Sequence, residues 1–120
     1  MRLEPRTIEI NISPLWKYSI EYFHKHSWYD ILFSMTELER SLKVLANRRR
    51  LAIVRYLKRT RQASVSDIAA EIRLSFKATS NHLARLASAE VVEFEKVGLL
   101  VFYRLAGRLP KTVARLISLI

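Results

Sequence analysis

The sequence predicts a mainly α-helical domain that carries one small β-hairpin, an α+β fold. Three observations lead to this prediction. Apolar residues recur every three or four positions over much of the chain, which is the period of an α-helix. Serine, asparagine or proline stands where these helical patterns begin. Two short runs rich in valine, leucine and aromatic residues flank Gly98, as the strands of a hairpin do.

The composition limits the class of protein. The 120 residues and the 50% hydrophobic content suit one domain with a single core. The lack of cysteine excludes disulfides and thiolate metal sites, and two glycines, Gly98 and Gly107, are too few for a glycine-rich phosphate loop. The longest uncharged apolar run, 97–103, is too short to span a bilayer. We therefore expect a cytoplasmic protein with no cofactor and no membrane partner.

The net charge of +10 is unevenly distributed along the chain. Residues 1–34 are neutral and hold seven of the twelve aromatic residues, whereas residues 35–107 carry +7 and residues 108–120 carry +3. This pattern predicts an aromatic N-terminal extension over 1–34, a basic domain over 35–107 and a C-terminal helix over 108–120. So large a basic surplus indicates a polyanionic partner.

The N-terminal elements follow from the residue pattern. Residues 6–12 alternate and predict a short strand or an extended arm, and Ser13 and Pro14 begin a helix that runs to about residue 25. Ser27 then begins a second helix that runs to about residue 46. One face of this helix is an apolar seam that packs either on its own domain or on a second subunit. The seam consists of Trp28, Ile31, Met35, Leu38, Leu42 and Leu45.

Asn47 is predicted to cap the next helix, over about 48–59, with Leu51, Val54 and Leu57 on its buried face. Three arginines occupy its first turn, where the helix already carries partial positive charge. This placement costs stability unless an anion lies nearby. A neighbouring carboxylate and a nucleic-acid phosphate are the two alternatives.

Two short helices joined by a tight turn come next. Ser66 is predicted to cap a helix over 67–72, residues 73–75 form the turn, and Ser75 caps a helix over 76–89. Such a pair is a helix-turn-helix motif. Three residues of its second helix are expected to face inward: Thr79, Leu83 and Leu86.

A β-hairpin and a last helix complete the chain. The predicted strands cover 91–96 and 99–105, on either side of Val97 and Gly98. A hairpin directly after a helix-turn-helix is a wing. Pro110 begins a helix over 110–120 whose apolar residues share one side.

Three stretches carry a family resemblance, in the same order and spacing. They are LKVLANRRRLAIVRYL (42–57), SVSDIAAEIRLSFKATSNHLARLASAEVV (64–92) and VFYRLA (101–106). On these residues the chain resembles the ArsR-type winged helix-turn-helix transcriptional regulators. The resemblance implies a homodimer that binds double-stranded DNA, with the helix around 28–46 and the C-terminal helix in the dimer interface. It also implies a repressor that releases DNA when an effector binds.

The resemblance and the helical geometry together predict the site. Helix 76–89 lies in the major groove as the recognition helix. Its outward face offers Asn81 to an adenine edge and Phe76 to a thymine methyl group, and His82 is either a packing histidine or a further contact. The predicted DNA-binding residues are Ser75, Phe76, Lys77, Ser80, Asn81, His82, Arg48, Arg49, Arg50, Lys43 and Lys96. The predicted dimer-interface residues are Trp28, Ile31, Met35, Leu38, Val113, Leu116, Ile117 and Ile120.

The sequence also departs from the family pattern. Arg73 stands where a glycine is usual in the turn, and Val97, Leu99 and Leu100 make the wing tip apolar. The cysteine metal box and the acidic and histidine ligands of the last helix are absent, so we expect no metal site. We also expect no enzymatic activity, because no nucleophile–base–orienter set is present.

Two alternatives stay open at this point. The apolar wing and the aromatic N-terminus would also suit a winged-helix module for protein–protein interaction. The aromatic segment 16–33 either thickens the dimer interface or lines a pocket for an apolar small-molecule effector.

Overall fold

A computed structural model of the chain describes Glu21 and residues 27–120. The elements of this part are α1 (Trp28–Leu45), α2 (Arg48–Thr60), β1 (Gln62–Ser64), α3 (Val65–Ile72), α4 (Phe76–Ser88), β2 (Val92–Val97), β3 (Leu100–Leu105) and α5 (Lys111–Ile117). The chain divides after Met35 into two compact units, and the core described below belongs to residues 36–120. The predicted strand over 6–12 and most of the helix that follows it lie outside the described residues.

Side-chain caps fix the starts of α1 and α2, as the sequence predicts. The Ser27 hydroxyl accepts from the Asp30 backbone N–H at 3.3 Å and donates to the Asp30 carboxylate at 2.9 Å. The Asn47 side chain accepts from the backbone N–H groups of Arg49 and Arg50, at 3.0 and 3.1 Å. Each cap satisfies N–H groups that have no partner within their own helix.

The helix-turn-helix is confirmed, but its first helix starts earlier than predicted. α3 begins at Val65, and its cap is Ser64 rather than Ser66: the Ser64 hydroxyl accepts from the Asp67 N–H at 3.2 Å. The turn begins at Arg73, whose φ of 53° is left-handed. For a residue with a Cβ this conformation costs roughly 1–2 kcal/mol. The peptide nevertheless closes α3, because the Arg73 N–H donates to the Ala70 carbonyl.

The sheet contains a strand that the sequence did not predict. Its order is β1-β3-β2, with both pairings antiparallel. β2 and β3 form the wing, and their register pairs Val92 with Leu105 at the base and Val97 with Leu100 at the tip. The turn residues are therefore Gly98 and Leu99, not Val97 and Gly98. Gly98 has a φ of 63°, the conformation expected of glycine at the first position of a type II′ turn.

The core lies where α2, α3 and α4 meet. Its largest fully buried side chains come from these three helices: Ile53, Leu57, Ile68, Leu83 and Leu86. Each such burial stabilises the fold by about 1.5–3 kcal/mol. Val91 adds the start of the wing, and Val113 adds α5. The core therefore fixes one face of α4 and leaves the opposite face outside.

Candidate nucleic-acid interface

The start of α4 is built by the residue before it. The Ser75 hydroxyl accepts from the Ala78 N–H at 3.1 Å, and the Ser75 carbonyl accepts from the buried Thr79 hydroxyl at 2.8 Å. Ser75 thus caps the helix, and the hydrogen bond from the buried Thr79 hydroxyl fixes the Ser75 carbonyl in the first turn. The first turn of α4 presents backbone N–H groups at its surface, and such groups can bind a phosphate.

The outward face of α4 gathers the residues that the sequence predicts there. Phe76 is 60% exposed, Lys77 and Asn81 are exposed, and Ser80 is half-buried. Thr79, Leu83 and Leu86 are buried on the opposite side, as predicted. α4 contains no aspartate or glutamate. Its exposed surface therefore combines hydrogen-bonding groups, one aromatic ring and positive charge without any acid to repel a phosphate backbone.

His82 lies on the flank between the two faces of α4. Its ring is half-buried, and no group of the described residues hydrogen-bonds to its enclosed Nδ1 atom. Burial lowers the pKa of His82, and the positive charges of Arg50, Arg85 and Arg49 lower it further. His82 is therefore neutral at pH 7, which suits packing better than attraction to DNA.

Two of the three arginines at the start of α2 find hydrogen-bond acceptors within the protein. The Arg49 guanidinium donates to the carbonyl of Ile72, in the last turn of α3. The Arg50 guanidinium donates to the carbonyl of Val44, and at 3.2 Å to that of Lys43, in the last turn of α1. Helix C-termini carry partial negative charge, so these carbonyls supply what a carboxylate or phosphate was expected to supply.

This arrangement corrects one member of the predicted site. Arg50 is buried, with 7% of its surface exposed, and its guanidinium is committed to the end of α1. Arg50 therefore has a structural role, and its guanidinium is too buried to contact a phosphate. Arg49 and Arg48 stay exposed on the same turn.

The remaining predicted cationic residues differ in whether an ion pair within the protein already engages their charge. Lys43 pairs with Glu39 at 2.7 Å, and this hydrogen bond and charge raise the pKa of Lys43. Lys96, near the end of β2, forms no ion pair with any described residue. Arg85 was not in the predicted set, yet it lies exposed on the flank of α4 beside His82. Its spacing of four residues after Asn81 is the signal that could have found it.

A second surface is apolar and lies on the side of α1 and α5. Leu38 is 38% exposed and Leu42 is 48% exposed, although both belong to the α1 seam. An apolar groove of about 280 Å³ runs between Leu42 and the C-terminal residues Leu119 and Ile120. These exposed leucines and the apolar groove beside them form a surface that a partner could cover.

The predicted dimer residues of α5 are only partly available to a partner. Val113 and Ile117 are buried, at 0% and 5% exposure, because this side of α5 belongs to the chain's own hydrophobic core. Leu116 is half-buried, and Ile120 is 38% exposed. In α1, Trp28 and Met35 are largely exposed and Ile31 is half-buried.

The described part of the chain offers neither a metal site nor a membrane span. No cluster of three or more histidine, cysteine or acidic side chains with metal-binding geometry occurs in residues 27–120. His24 and His26 lie outside the described residues. Among the described helices, none combines the length and the apolar character that a membrane span needs.

The chain is similar in sequence and in fold to known bacterial regulatory proteins. The family profile described as bacterial regulatory protein, arsR family, matches residues 47–93. Reduced HlyU from Vibrio cholerae is 31% identical, with a TM-score of 0.65 over 75% of this chain and 90% of that chain. The transcriptional repressor PagR of Bacillus anthracis is 25% identical, with a TM-score of 0.63 over 73% of this chain and 97% of that chain.

A third solved structure adds the assembly. It is the homodimeric winged helix-turn-helix DNA-binding domain of a possible ArsR-family transcriptional regulator from Mycobacterium bovis. It is 32% identical, with a TM-score of 0.66 over 78% of this chain and 82% of that chain. A search of curated proteins gives no match. From the matched profile, the shared fold and these identities, the chain belongs to the ArsR family of bacterial regulatory proteins, which are winged helix-turn-helix transcriptional regulators.

Proposed function

We propose that this protein is a homodimeric repressor that reads duplex DNA with α4 in the major groove. The observation that carries the proposal is the exposed face of α4, which is free of acidic residues and opposite to a fully buried face. An α-helix fits the major groove, where each base pair presents a distinct pattern of donors and acceptors.

Four residues of α4 are the proposed base-reading set. Asn81 can pair with both the N6 and N7 positions of an adenine, and Phe76 can contact a thymine methyl group. Lys77 can donate to a guanine edge, and the Ser80 hydroxyl can either donate to or accept from a base edge. His82, neutral and turned toward the core, is proposed as a packing residue rather than a contact.

Phosphate contacts are proposed around this set. Ser75 and the first N–H groups of α4 form one, because phosphates bind at helix N-termini. Arg49, Arg85 and Lys96 supply exposed positive charge. Arg48 and Lys43 are proposed only as outer contacts, since Lys43 already shares its charge with Glu39.

The apolar surface of α1 and the C-terminal residues is the proposed dimer contact. Leu38, Leu42, Leu119 and Ile120 line it, and pairing with a second copy would remove them from water. A two-fold dimer places two recognition helices about 34–36 Å apart, one DNA turn. The operator is therefore expected to be an imperfect palindrome.

The salt dependence of DNA binding tests the proposal. Duplexes are selected from random DNA by the wild-type protein, and their affinity is then measured over a range of salt concentrations. If six to ten phosphates are neutralised per dimer, the slope of log affinity against log salt is about −5 to −9. A slope near zero, or no duplex retained, would contradict DNA recognition.

Two lysine variants make the test specific to α4. Lys77→Gln is expected to reduce the steepness of the slope by up to about 0.9 per half-site, because it removes a positive charge of the base-reading face that also lies near the phosphates. Lys111→Gln removes the same charge from an exposed position at the start of α5 and should leave the slope unchanged. Equal effects of the two variants would indicate nonspecific attraction rather than docking through α4.

The alternative of a winged-helix module for protein contact is not favoured by the match to the arsR-family profile or by the similarity to solved transcriptional regulators.

A further inference from the structure

We propose that the tip of the wing is an apolar wedge that enters the minor groove beside each half-site and bends the operator. This inference rests on the proposed function and adds to it. It assigns Leu99 a role in DNA deformation, where a surface contact to phosphates would have been the simpler expectation for a wing.

The exposure of the wing tip is its first support. Leu99 is fully exposed, at 103%, and its neighbours Val97 and Leu100 are each 55% exposed. Single apolar residues on a surface are ordinary, but three together at the end of a projecting hairpin form a patch that needs a partner. The turn itself aims the patch outward, because Gly98 takes the left-handed conformation and Leu99 becomes the outermost residue.

The reach of the wing is the second support. The base of β2 is buried at Val92, and the strand becomes exposed from Phe94 to its end at Val97. β1 pairs with the base half of β3, from Phe102 to Arg104, and so anchors only that end. Six strand residues extend about 20 Å, whereas the major groove is about 12 Å wide. A wing that starts at the end of α4 is therefore long enough to span the groove proposed for α4, and we place its tip in the adjacent minor groove.

The charges of the wing permit this approach. Glu93 and Glu95 would repel a phosphate backbone, but Arg104 on β3 pairs with both, at 2.7 and 3.8 Å. Lys96 lies just before the tip and forms no ion pair with any described residue. The two acids and the two bases of the wing, Lys96 and Arg104, therefore balance, and the wing carries no net negative charge.

The chemistry of the tip distinguishes a wedge from a charged contact. A leucine offers nothing to a phosphate oxygen or to a base edge, but it is among the side chains that insert between base steps and kink DNA. Unstacking is easiest at flexible pyrimidine–purine steps such as TA and CA. The proposal therefore predicts such a step at the position under each wing, outside the bases that α4 reads.

The experiment measures the bend of selected duplexes carrying a fluorophore at each end. With the full-length wild-type protein, energy transfer is expected to report a bend within the range of about 20–90° that such wedges produce. Leu99→Ala should straighten the DNA, weaken binding about ten-fold and remove the preference for the pyrimidine–purine step. Its salt slope should be unchanged, since no charge is lost.

Lys96→Gln is the matched control, three residues away on the same wing. It should lower the steepness of the salt slope by about 0.9 per half-site and keep the bend. An equal bend for wild type and Leu99→Ala would overturn the wedge, and so would a straight complex with wild type, which would leave the tip for a protein partner. Failure of the wild-type protein to retain any duplex would instead show that the proposed function is wrong.

Discussion

At the scale of single residues, His82 is the clearest link between the recognition helix and the protein interior. Its ring is half-buried on the flank of α4, and the positive charges of three arginines from two helices act on it. A proton on this ring would be a partly buried positive charge close to other positive charges. The folded protein therefore binds that proton less readily than the unfolded chain does.

This difference predicts a pH dependence of stability. The unfolded chain gains the His82 proton as the pH falls through the ordinary pKa of 6.5, whereas the folded protein, with its lowered pKa, gains it only at lower pH. The contribution of neutral His82 to stability is therefore complete above about pH 6.5 and is lost as the pH falls below it. His82→Gln cannot take up a proton, so its stability should fall less between pH 7 and pH 5.

The measurement is chemical denaturation of both proteins across this pH range. Other titrating groups are common to the two proteins, so the difference between their unfolding free energies isolates His82. Parallel curves would mean that the ring is solvated in the folded protein.

At the scale of elements, α4 combines one buried face with one face for DNA. Asn81 is the residue of this helix best suited to distinguish bases, because its amide can donate and accept at the same adenine. Asn81→Ala should reduce the preference for that adenine by about 1–3 kcal/mol, while leaving binding to random duplex nearly unchanged.

Competition between the selected duplex and one with the adenine replaced measures this preference. Ser88→Ala is the control on the same helix, since Ser88 is exposed and its hydroxyl donates only to the Ala84 carbonyl of its own helix. A loss of preference shared by both variants would point to a change in the helix rather than to base reading.

The elements also show how far the sequence alone can lead. The starts of α1, α2 and α4 were predictable because each depends on a local cap, at Ser27, Asn47 and Ser75. The start of α3 was placed two residues late because Ser64 and Ser66 both resemble caps. The three-residue spacing from Ser64 to Asp67 is the local signal that separates them.

Features that depend on distant partners were not predictable in this way. β1 has only three residues, and its existence depends on pairing with β3 about forty positions later. Likewise, the sequence indicates that Arg49 and Arg50 need a partner that offsets their positive charge. Only the packing of α1 and α3 shows that the partners are backbone carbonyl groups at the ends of those helices. The outward face of α4 was predictable because helical spacing alone defines it.

At the scale of the whole molecule, the proposed function couples DNA recognition to dimerisation. Two recognition helices on one palindrome bind together only while the apolar surfaces of α1 and the C-terminal residues hold the copies in place. The affinity for the operator is thus partly a property of Leu38 and Leu42, which are on the other surface from the proposed DNA contacts.

The double variant Leu38→Glu and Leu42→Glu is expected to be monomeric, because it would place two charges in an apolar contact. Its DNA affinity should fall, and its salt slope should drop to about half, since one half-site is bound instead of two. Sedimentation equilibrium gives the mass, and the binding titration gives the slope. Arg40→Glu, on the opposite side of α1, should remain dimeric; loss of the dimer in that variant would show that added negative charge weakens pairing wherever it lies on α1.

The three consecutive arginines at the start of α2 should differ in how well the fold tolerates their substitution. Arg48 forms no hydrogen bond or ion pair with a described residue, so the fold itself tolerates many replacements there. Arg49 closes α3 through one carbonyl, and Arg50 closes α1 through two, so a lysine at either position keeps the charge but loses the planar, forked geometry of a guanidinium. The tolerance of the fold to substitution should therefore decline steeply along these three arginines, from high at Arg48 to very low at Arg50.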